Sequence, residues 1–398
     1  MNYIDTDQLV ADFCSLARIE GISLKERKVA DYIKKKLEPL GVRVVEQPIP
    51  VGGSESGNLI CIPEETDPDK PVTFLAAHMD TVQSTQQLVS GVNDTTISSD
   101  GSTILGADNR AGVAALLYML GIARERKLQL KNIGVLFTVA EEIGLVGARH
   151  LDFSDYPSIR QIFVFDCSRV GARHLDFSDY PSIRQIFVFD CSRRPGIFIQ
   201  HCYGCLKFRM EMSGRSAHAG VAPEKGINAI AMAAHIISTI EQGRLEDGAT
   251  CNIGTIHGGD ATNVVSSRVV CDGEIRGPSM EVIEKHSNEL NRIASEVTAR
   301  FNGSYSLDTS LAFAPFHIDP SSDHYKAAEM MIRKAGLEPK PIRYTGGSDA
   351  NIFNVNGIPA INFGIGAQQP HSNEEFIYIE DLRKTTELVL IAATENLE

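Results

Sequence analysis

Residues 133–139, IGVLFTV, form an almost wholly apolar run bounded by polar residues. A strand with one solvated face alternates apolar and polar positions, so a run without alternation is a strand covered on both faces. Such a strand belongs at the centre of a sheet with helices on either side. The flanking chain agrees. Apolar positions recur at helical spacing through LVADFCSLARI and again through ERKVADYIKKKLEPL, with Gly41 placed to stop the second helix. Residues 42–45, 58–62 and 73–77 read as strands, and 107–123, rich in Ala and Leu, reads as a helix. This alternation implies an α/β fold, a mostly parallel sheet sandwiched by helices.

The pattern changes near Gly196. Residues 198–212 read as one long strand, 228–241 as a helix, 251–257 and 267–276 as two strands, and 280–300 as a second helix. That order is the footprint of a ferredoxin-like α+β layer. After about 313 the α/β pattern resumes, with a helix over 322–335, a buried strand over 358–363 and a closing helix over 379–396. A chain of 398 residues is long enough for two domains. The division expected is 1–195 with 313–398 as one domain and 196–312 as an insertion within it.

Residues 146–169, VGARHLDFSDYPSIRQIFVFDCSR, recur without change as 170–193. Solenoids need at least three stacked units, so this is a tandem duplication rather than a repeat architecture. One helix-plus-strand unit is surplus, and the sheet is expected to take one copy.

The formal charge of −13 disfavours nucleic acid and anionic membrane as partners, since both reward dense Lys and Arg. The start, MNYIDTDQLVADF, has no basic region followed by an apolar one, and no stretch approaches the roughly 18 apolar residues of a spanning helix, so the expected location is cytoplasmic. Eight scattered cysteines argue against a disulfide framework. Cys202 and Cys205 have CxxC spacing, but without a second pair they read as buried thiols.

The chemistry lies at the ends of the strands. His78 and Asp80 follow the strand 73–77, so both side chains emerge at the carboxyl edge of the sheet, where open α/β sheets place ligands. Asp80 is placed to hold the second ring nitrogen of a metal-bound His78. Asp108 opens a helix, and capping that helix is its plain alternative role. Glu141 and Glu142, directly after the buried run, repel each other unless a cation compensates them. One of such a pair can bind metal while the other takes a proton. Asp166 and its copy Asp190 each end an Ile-Phe-Val-Phe strand, and His371 lies just beyond the strand 358–363. Two histidines and several carboxylates thus converge on one sheet edge. That donor set suits zinc, with manganese or cobalt as substitutes.

The segments AAHMDTV, LGADNRAGVAALL, TVAEEIGLVGA, GRSAHAGVAPEKGINAI, GGDATNVV and PHSNEEFI, in this order, resemble the dinuclear-zinc peptidase family that includes peptidase T, carboxypeptidase G and the aminoacylases. The resemblance spans nearly the whole chain, with TILGADNRAG and SAHAGVAPEKG most similar to peptidase T. It implies a hydrolase of short peptides, acting on tripeptides from the amino end, with two Zn2+ ions. By position it makes His78 a ligand of one ion, Asp108 the bridge, and Glu142 and His371 ligands of the other. Glu141 matches the general base and Asp80 the carboxylate behind His78. In the inserted domain, which the resemblance marks as a lid and dimerisation domain of a homodimer, His218 resembles the histidine that reaches the substrate carbonyl. Asn263 and Arg276 resemble groups that hold the substrate oxyanion or carboxylate. The fifth metal ligand matches Asp166 or Asp190.

Between these two, the expectation is Asp166. The first copy keeps its carboxylate nearer Glu142 in the chain, and doubling that separation costs about 0.6 kcal/mol in loop closure. The opposing arrangement extrudes chain at the turn 155–158, leaves the second copy continuous with the inserted domain and makes Asp190 the ligand. Two other functions fit the same residues: a related amidohydrolase, such as a dipeptidase or N-acyl-amino-acid deacylase, and a metal-binding scaffold inactivated by the duplication.

Overall fold

The structure is a computed structural model that describes residues 4–67, 69–152, 183–395 and 397. The chain forms two compact units, one of Met1–Gln200, His317–Arg343 and Ser348–Glu398, the other of His201–Phe316 and Tyr344–Gly347.

The first unit opens with helices α1 (Thr6–Ala17) and α2 (Arg27–Leu37) and strands β1 (Val42–Gln47), β2 (Asn58–Pro63) and β3 (Val72–His78). Asp5 caps α1 by accepting the Gln8 N–H at 3.1 Å, and Gly41, at φ 67°, lets the chain leave the turn after α2 in the left-handed region. A hairpin of β4 (Ser90–Val92) and β5 (Thr96–Ser99) leads to α3 (Ala107–Arg126), β6 (Ile133–Thr138), α4 (Val146–Arg149), β7 (Ile183–Cys191) and β8 (Ile197–Cys202).

The second unit contains β9 (Gly204–Ser213), α5 (Ala229–Thr239), β10 (Gly243–Arg244), β11 (Thr250–Gly258), β12 (Arg268–Gly277), α6 (Met280–Arg300) and β13 (Ser304–Phe313). Its strands lie in the order β10-β11-β12-β9-β13, and every neighbouring pair is antiparallel. With two crossover helices this is the ferredoxin-like arrangement. Asn228 and Ser279 cap α5 and α6, and Met232, Ile236, Leu290 and Val297 of these helices join Phe208, Met210 and Cys271 in one apolar core.

The continuous strand expected over 198–212 is instead β8 and β9, interrupted at Tyr203. The apolar pattern runs through the break, but a side chain at Gly204 would lie 2.6 Å from Pro315 Cδ, so backbone approaches there as closely as glycine alone permits. The division between the units also falls within β8.

The chain then adds β14 (Phe316–His317), α7 (Asp323–Lys334), β15 (Lys340–Tyr344), α8 (Asp349–Val355), β16 (Ala360–Gly364), β17 (Ala367–Gln368), β18 (Phe376–Tyr378) and α9 (Ile379–Thr394). The main sheet runs β1-β2-β6-β3-β7-β16-β8-β14, with β15 also paired to β8. Its centre, β6, β3, β7 and β16, is parallel, and β1, β2 and β8 pair antiparallel at the sides. Every position of β6 and β16 is buried. The register sets His78 beside Thr138 and Phe363 beside Phe189, so the carboxyl ends of the four parallel strands meet at one edge. Phe189 stacks on Phe363 at 5.4 Å and Phe187 meets the same ring edge-on at 5.4 Å. No helix among the described residues is long and apolar enough to cross a membrane.

The strand between β3 and β16 comes from the second copy of the duplicated segment, not from the first as expected; residues 153–182, with Asp166, lie outside the described residues. Connectivity at both ends is the reason. Only the first copy follows Leu145 directly, and its head is fixed in place: Asn58 Nδ2 donates to Gly147 O at 2.8 Å, and the Gly147 N–H donates to Val139 O at 2.9 Å. Only the second copy is followed by Arg194, which pairs with Asp381 at 2.9 Å, while the Ile365 and Gly366 N–H groups donate to Cys191 and Arg193 carbonyls at 2.8 Å each. The framework therefore takes the head of one copy and the tail of the other.

Candidate metal centre

Each side chain of the site is delivered by a chain turn at the common edge of the parallel strands. His78 is the last residue of β3 and is buried, with its ring fixed from both ends: Nδ1 lies 3.3 Å from Asp80 Oδ1, and Nε2 lies 3.0 Å from Asp190 Oδ1 and 3.3 Å from Asp108 Oδ1. Asp80 is itself fully engaged. It accepts hydrogen bonds from Ser23 Oγ at 2.6 Å and from the Glu141 and Glu142 N–H groups at 3.0 and 3.1 Å.

Asp108 stands at the start of α3, where the helix is kinked: Asp108 and Asn109 both have non-helical backbone angles, and the peptide bond between them is cis. Asn109, rather than Asp108, caps the continuing helix, accepting the Gly112 N–H at 3.1 Å. The same amide donates to Phe189 O at 2.8 Å and Asp190 Oδ1 at 3.2 Å, which ties α3 to the end of β7. The Asp108 carboxylate is thereby left for the site. Its two oxygens face different partners: Oδ2 lies 3.6 Å from His371 Nε2, which is also 3.1 Å from Glu142 Oε1.

Among the described residues, three sets of donor atoms lie within 4.8 Å of one another: His78, Asp108 and Asp190; Asp108, Glu142 and His371; and His78, Glu141 and Glu142. The first two share Asp108. Imidazole and carboxylate donors in this arrangement suit zinc or a similar divalent ion.

The electrostatics show the same demand for positive charge. Burial works against a charge on His78, yet Asp190, Asp108 and Asp80 hold its pKa well above the ordinary histidine value. Asp108 and Glu142 raise His371 to about 10. Burial opposes ionisation of Asp108, but the two imidazoles hold it down to about 2. Burial pushes the carboxyls of Glu141, Glu142 and Asp190 upward, and the neighbouring carboxylates add to that at Glu141. Groups that crowd negative charge in this way are stable together when a cation sits among them.

Several contributors were not foreseen. Glu375, buried beside the site, accepts from the Gly106 N–H at 2.7 Å and the Asp108 N–H at 3.0 Å, and burial raises it to about 7. Asp349 accepts from Thr138 Oγ1 at 2.5 Å, and burial raises it to about 7. Glu375 and Asn109 sit inside the segments that carry the family resemblance; Asp349 follows a Gly-Gly-Ser turn, whose only visible signal is a helix start.

His218 and Asn263 belong to the second unit, both are exposed, and they lie together: the Ala219 N–H donates to Asn263 O at 2.9 Å, and His218 bridges to Val264. Arg276 is elsewhere in that unit. Its guanidinium is bound to Glu274 at 2.8 Å and to Thr345 O at 2.8 Å, over the Phe313 ring.

The sequence model of Peptidase family M20/M25/M40 matches residues 74–395. The chain is 30% identical over 393 residues to the protein YqjE of Bacillus subtilis (strain 168), covering 98% of this chain and 99% of that one. Among solved structures it resembles the aminopeptidase PepT from Bacillus cereus ATCC 10987, with TM-score 0.82, 30% identity and 98% of each chain covered. It also resembles a tripeptidase from Staphylococcus aureus subsp. aureus mu50, with TM-score 0.86, 28% identity and 99% of each chain covered. On the strength of these matches and the site they frame, the chain belongs to Peptidase family M20/M25/M40 and is a hydrolase of peptide bonds.

Proposed function

We propose that this peptidase is a peptidase-T-like aminopeptidase that cleaves tripeptides with two zinc ions, one held by His78, Asp108 and Asp190, the other by Asp108, Glu142 and His371. The observation that carries this reading is Asp108, whose Oδ1 faces His78 at 3.3 Å while its Oδ2 faces His371 at 3.6 Å. When bound, such ions supply Lewis acidity, which polarises a carbonyl and lowers the pKa of water toward about 7.

The chain's own residues do the rest. Glu141 takes a proton from the attacking water and delivers it to the leaving amine. Burial and the neighbouring carboxylates raise its pKa, which favours a group that must hold a proton between those two transfers. Asp80 fixes the His78 ring. In the second unit, His218 is the candidate donor to the oxyanion, and removing one such donor typically costs about 10²–10³ in rate. Asn263, beside it, and Arg276 are the candidates to hold the substrate's oxyanion or carboxylate. Tripeptides as substrates rest on the similarity to the Staphylococcus aureus tripeptidase and the Bacillus cereus aminopeptidase. A cytoplasmic location rests on the scattered, buried thiols.

Turnover of a panel of free tripeptides, dipeptides and N-acyl amino acids with zinc or manganese tests the substrate. Preference for dipeptides or acyl amino acids reassigns the enzyme to a neighbouring amidohydrolase, and bound metal without any turnover means an inactive scaffold. Glu141→Gln is expected to abolish turnover with metal content unchanged, whereas Glu142→Gln lowers metal content itself. We further propose a homodimer through the second unit, in which β13 is an edge strand and Leu311 and Ile256 are exposed. Light scattering decides it: a fully active monomer overturns both the dimer and any role for His218 across subunits.

A further inference from the structure

The turn that carries Glu141 and Glu142 is held by two carboxylates rather than one. Ala140 adopts φ 53°, a left-handed conformation that a residue with a Cβ takes only where its surroundings impose it. Three successive N–H groups are each bound to a carboxylate: those of Glu141 and Glu142 to Asp80, and that of Ala140 to Glu26 Oε1 at 2.8 Å. Backbone N–H groups gathered by such a turn form an anion-binding concavity. Here its anions are side chains of the protein.

Glu26 is fully buried at the head of α2, yet its side chain makes no capping bond to that helix. Its Oε1 also accepts the Leu24 N–H at 3.0 Å, and its Oε2 meets no hydrogen-bond donor among the described residues. An ionisable group without a full set of partners is costly to bury. The nearby Arg110, buried and bound to the Met79 and Ile19 carbonyls, offsets part of that cost. Ser23, from the same short segment, donates to Asp80. The segment between α1 and α2 thus grips the base-bearing turn at two points, directly through Glu26 and through Asp80.

We infer that Glu26 is a positioning residue for the hydrolysis: by holding the Ala140 N–H it keeps Ala140 in its left-handed conformation and so aims the Glu141 carboxylate. This rests on the assignment of Glu141 as the base. Both hydrogen bonds of Glu26 use one oxygen, so a glutamine amide supplies the same acceptor, whereas an alanine supplies none.

The test compares Glu26→Ala and Glu26→Gln, with kcat and KM measured per folded, metal-loaded chain on a cleaved tripeptide. Glu26→Ala should lower kcat by about 10²-fold, the scale expected when a catalytic group is misplaced by about 1 Å, while KM and zinc content stay within about twofold. Glu26→Gln should restore kcat to within a few-fold of the parent. Normal kcat in Glu26→Ala, or a loss in Glu26→Gln as deep as in Glu26→Ala, overturns the inference. If Glu26→Ala does not fold, Glu26→Asp, whose carboxylate is one methylene short of the Ala140 N–H, takes its place: a kcat loss that Glu26→Gln does not share supports the inference, and parental kcat in Glu26→Asp overturns it. Glu141→Gln, run in parallel, separates the two readings, since an active Glu141→Gln removes the base assignment itself.

Discussion

Asp190 and Asp166 are the same residue in two copies of one sequence, and Asp190 is the one that lies among the described residues. Asp190 lies 3.0 Å from His78 Nε2 at the end of a strand locked between β3 and β16. Asp190→Asn should therefore lower zinc affinity by at least the roughly 10–100-fold typical of partners one shell further out, and activity with it. Asp166→Asn should be nearly silent. Competitive zinc titration of the two variants checks this, and the reverse ranking would return the ligand to the first copy. The residues legible from sequence were those whose chemistry is unusual for their position, such as Glu141 and Glu142 directly after a buried strand. Glu26 was illegible because an acid at a helix start is commonplace, and nothing in the pattern KERKVADYI separates one that solvates from one that reaches Ala140. Asn109 is hidden by its neighbour: in the sequence Asp108 offers itself as the cap of the helix, and the structure gives that role to Asn109.

Elements were legible where burial dictates composition. The run 133–139 became β6 (Ile133–Thr138) because a strand covered on both faces has no choice but to be apolar. The break between β8 and β9 was not, since it depends on Pro315 meeting Gly204, a contact between residues far apart in the chain. Packing of α2 against β1 has a similar tertiary origin. Glu46 of β1 binds Arg27 and Lys34, both on α2, and accepts the Gly57 N–H at 2.9 Å. Burial opposes its ionisation, but these partners hold its pKa down to about 2 from an ordinary 4.5. A carboxyl depressed in the folded state contributes stability that is complete above its unfolded pKa and is lost as pH falls through its folded one. Glu46→Gln should thus cost about 1.5–3 kcal/mol at pH 7, the range for a hydrogen bond to a charged group. The gap should begin to close below about pH 4.5 and narrow further toward pH 2. Urea unfolding of parent and variant at pH 7 and pH 3 measures it, and a gap that is equal at both would remove Glu46 as its source.

At the scale of the whole molecule the duplication raises a question of economy: which part of the chain is surplus. The head of the first copy, through Gly147, and the tail of the second, through Cys191 and Arg194, are each bound to framework that lies outside the repeat. Loop-closure entropy, the basis for favouring the first copy, amounts to about 0.6 kcal/mol per doubling of length. That is smaller than the hydrogen bonds at the two ends taken together, each worth about 0.5–1.5 kcal/mol, with the Arg194–Asp381 ion pair added at the tail. Deleting residues 153–176 joins Asp152 to Phe177 and restores the order of a single copy. It shortens the connection between α4 and β7 about 3.7-fold, which by the logarithmic law recovers about 1.2 kcal/mol. It also removes a spare Ile-Phe-Val-Phe segment, the kind of apolar, β-prone stretch that drives aggregation. The deleted chain should match the parent in metal content and in peptide hydrolysis, melt a few degrees higher and aggregate less on heating. Calorimetry, zinc titration and turnover on one preparation check all three, and a deletion that loses metal or activity would show that the surplus copy serves the site after all.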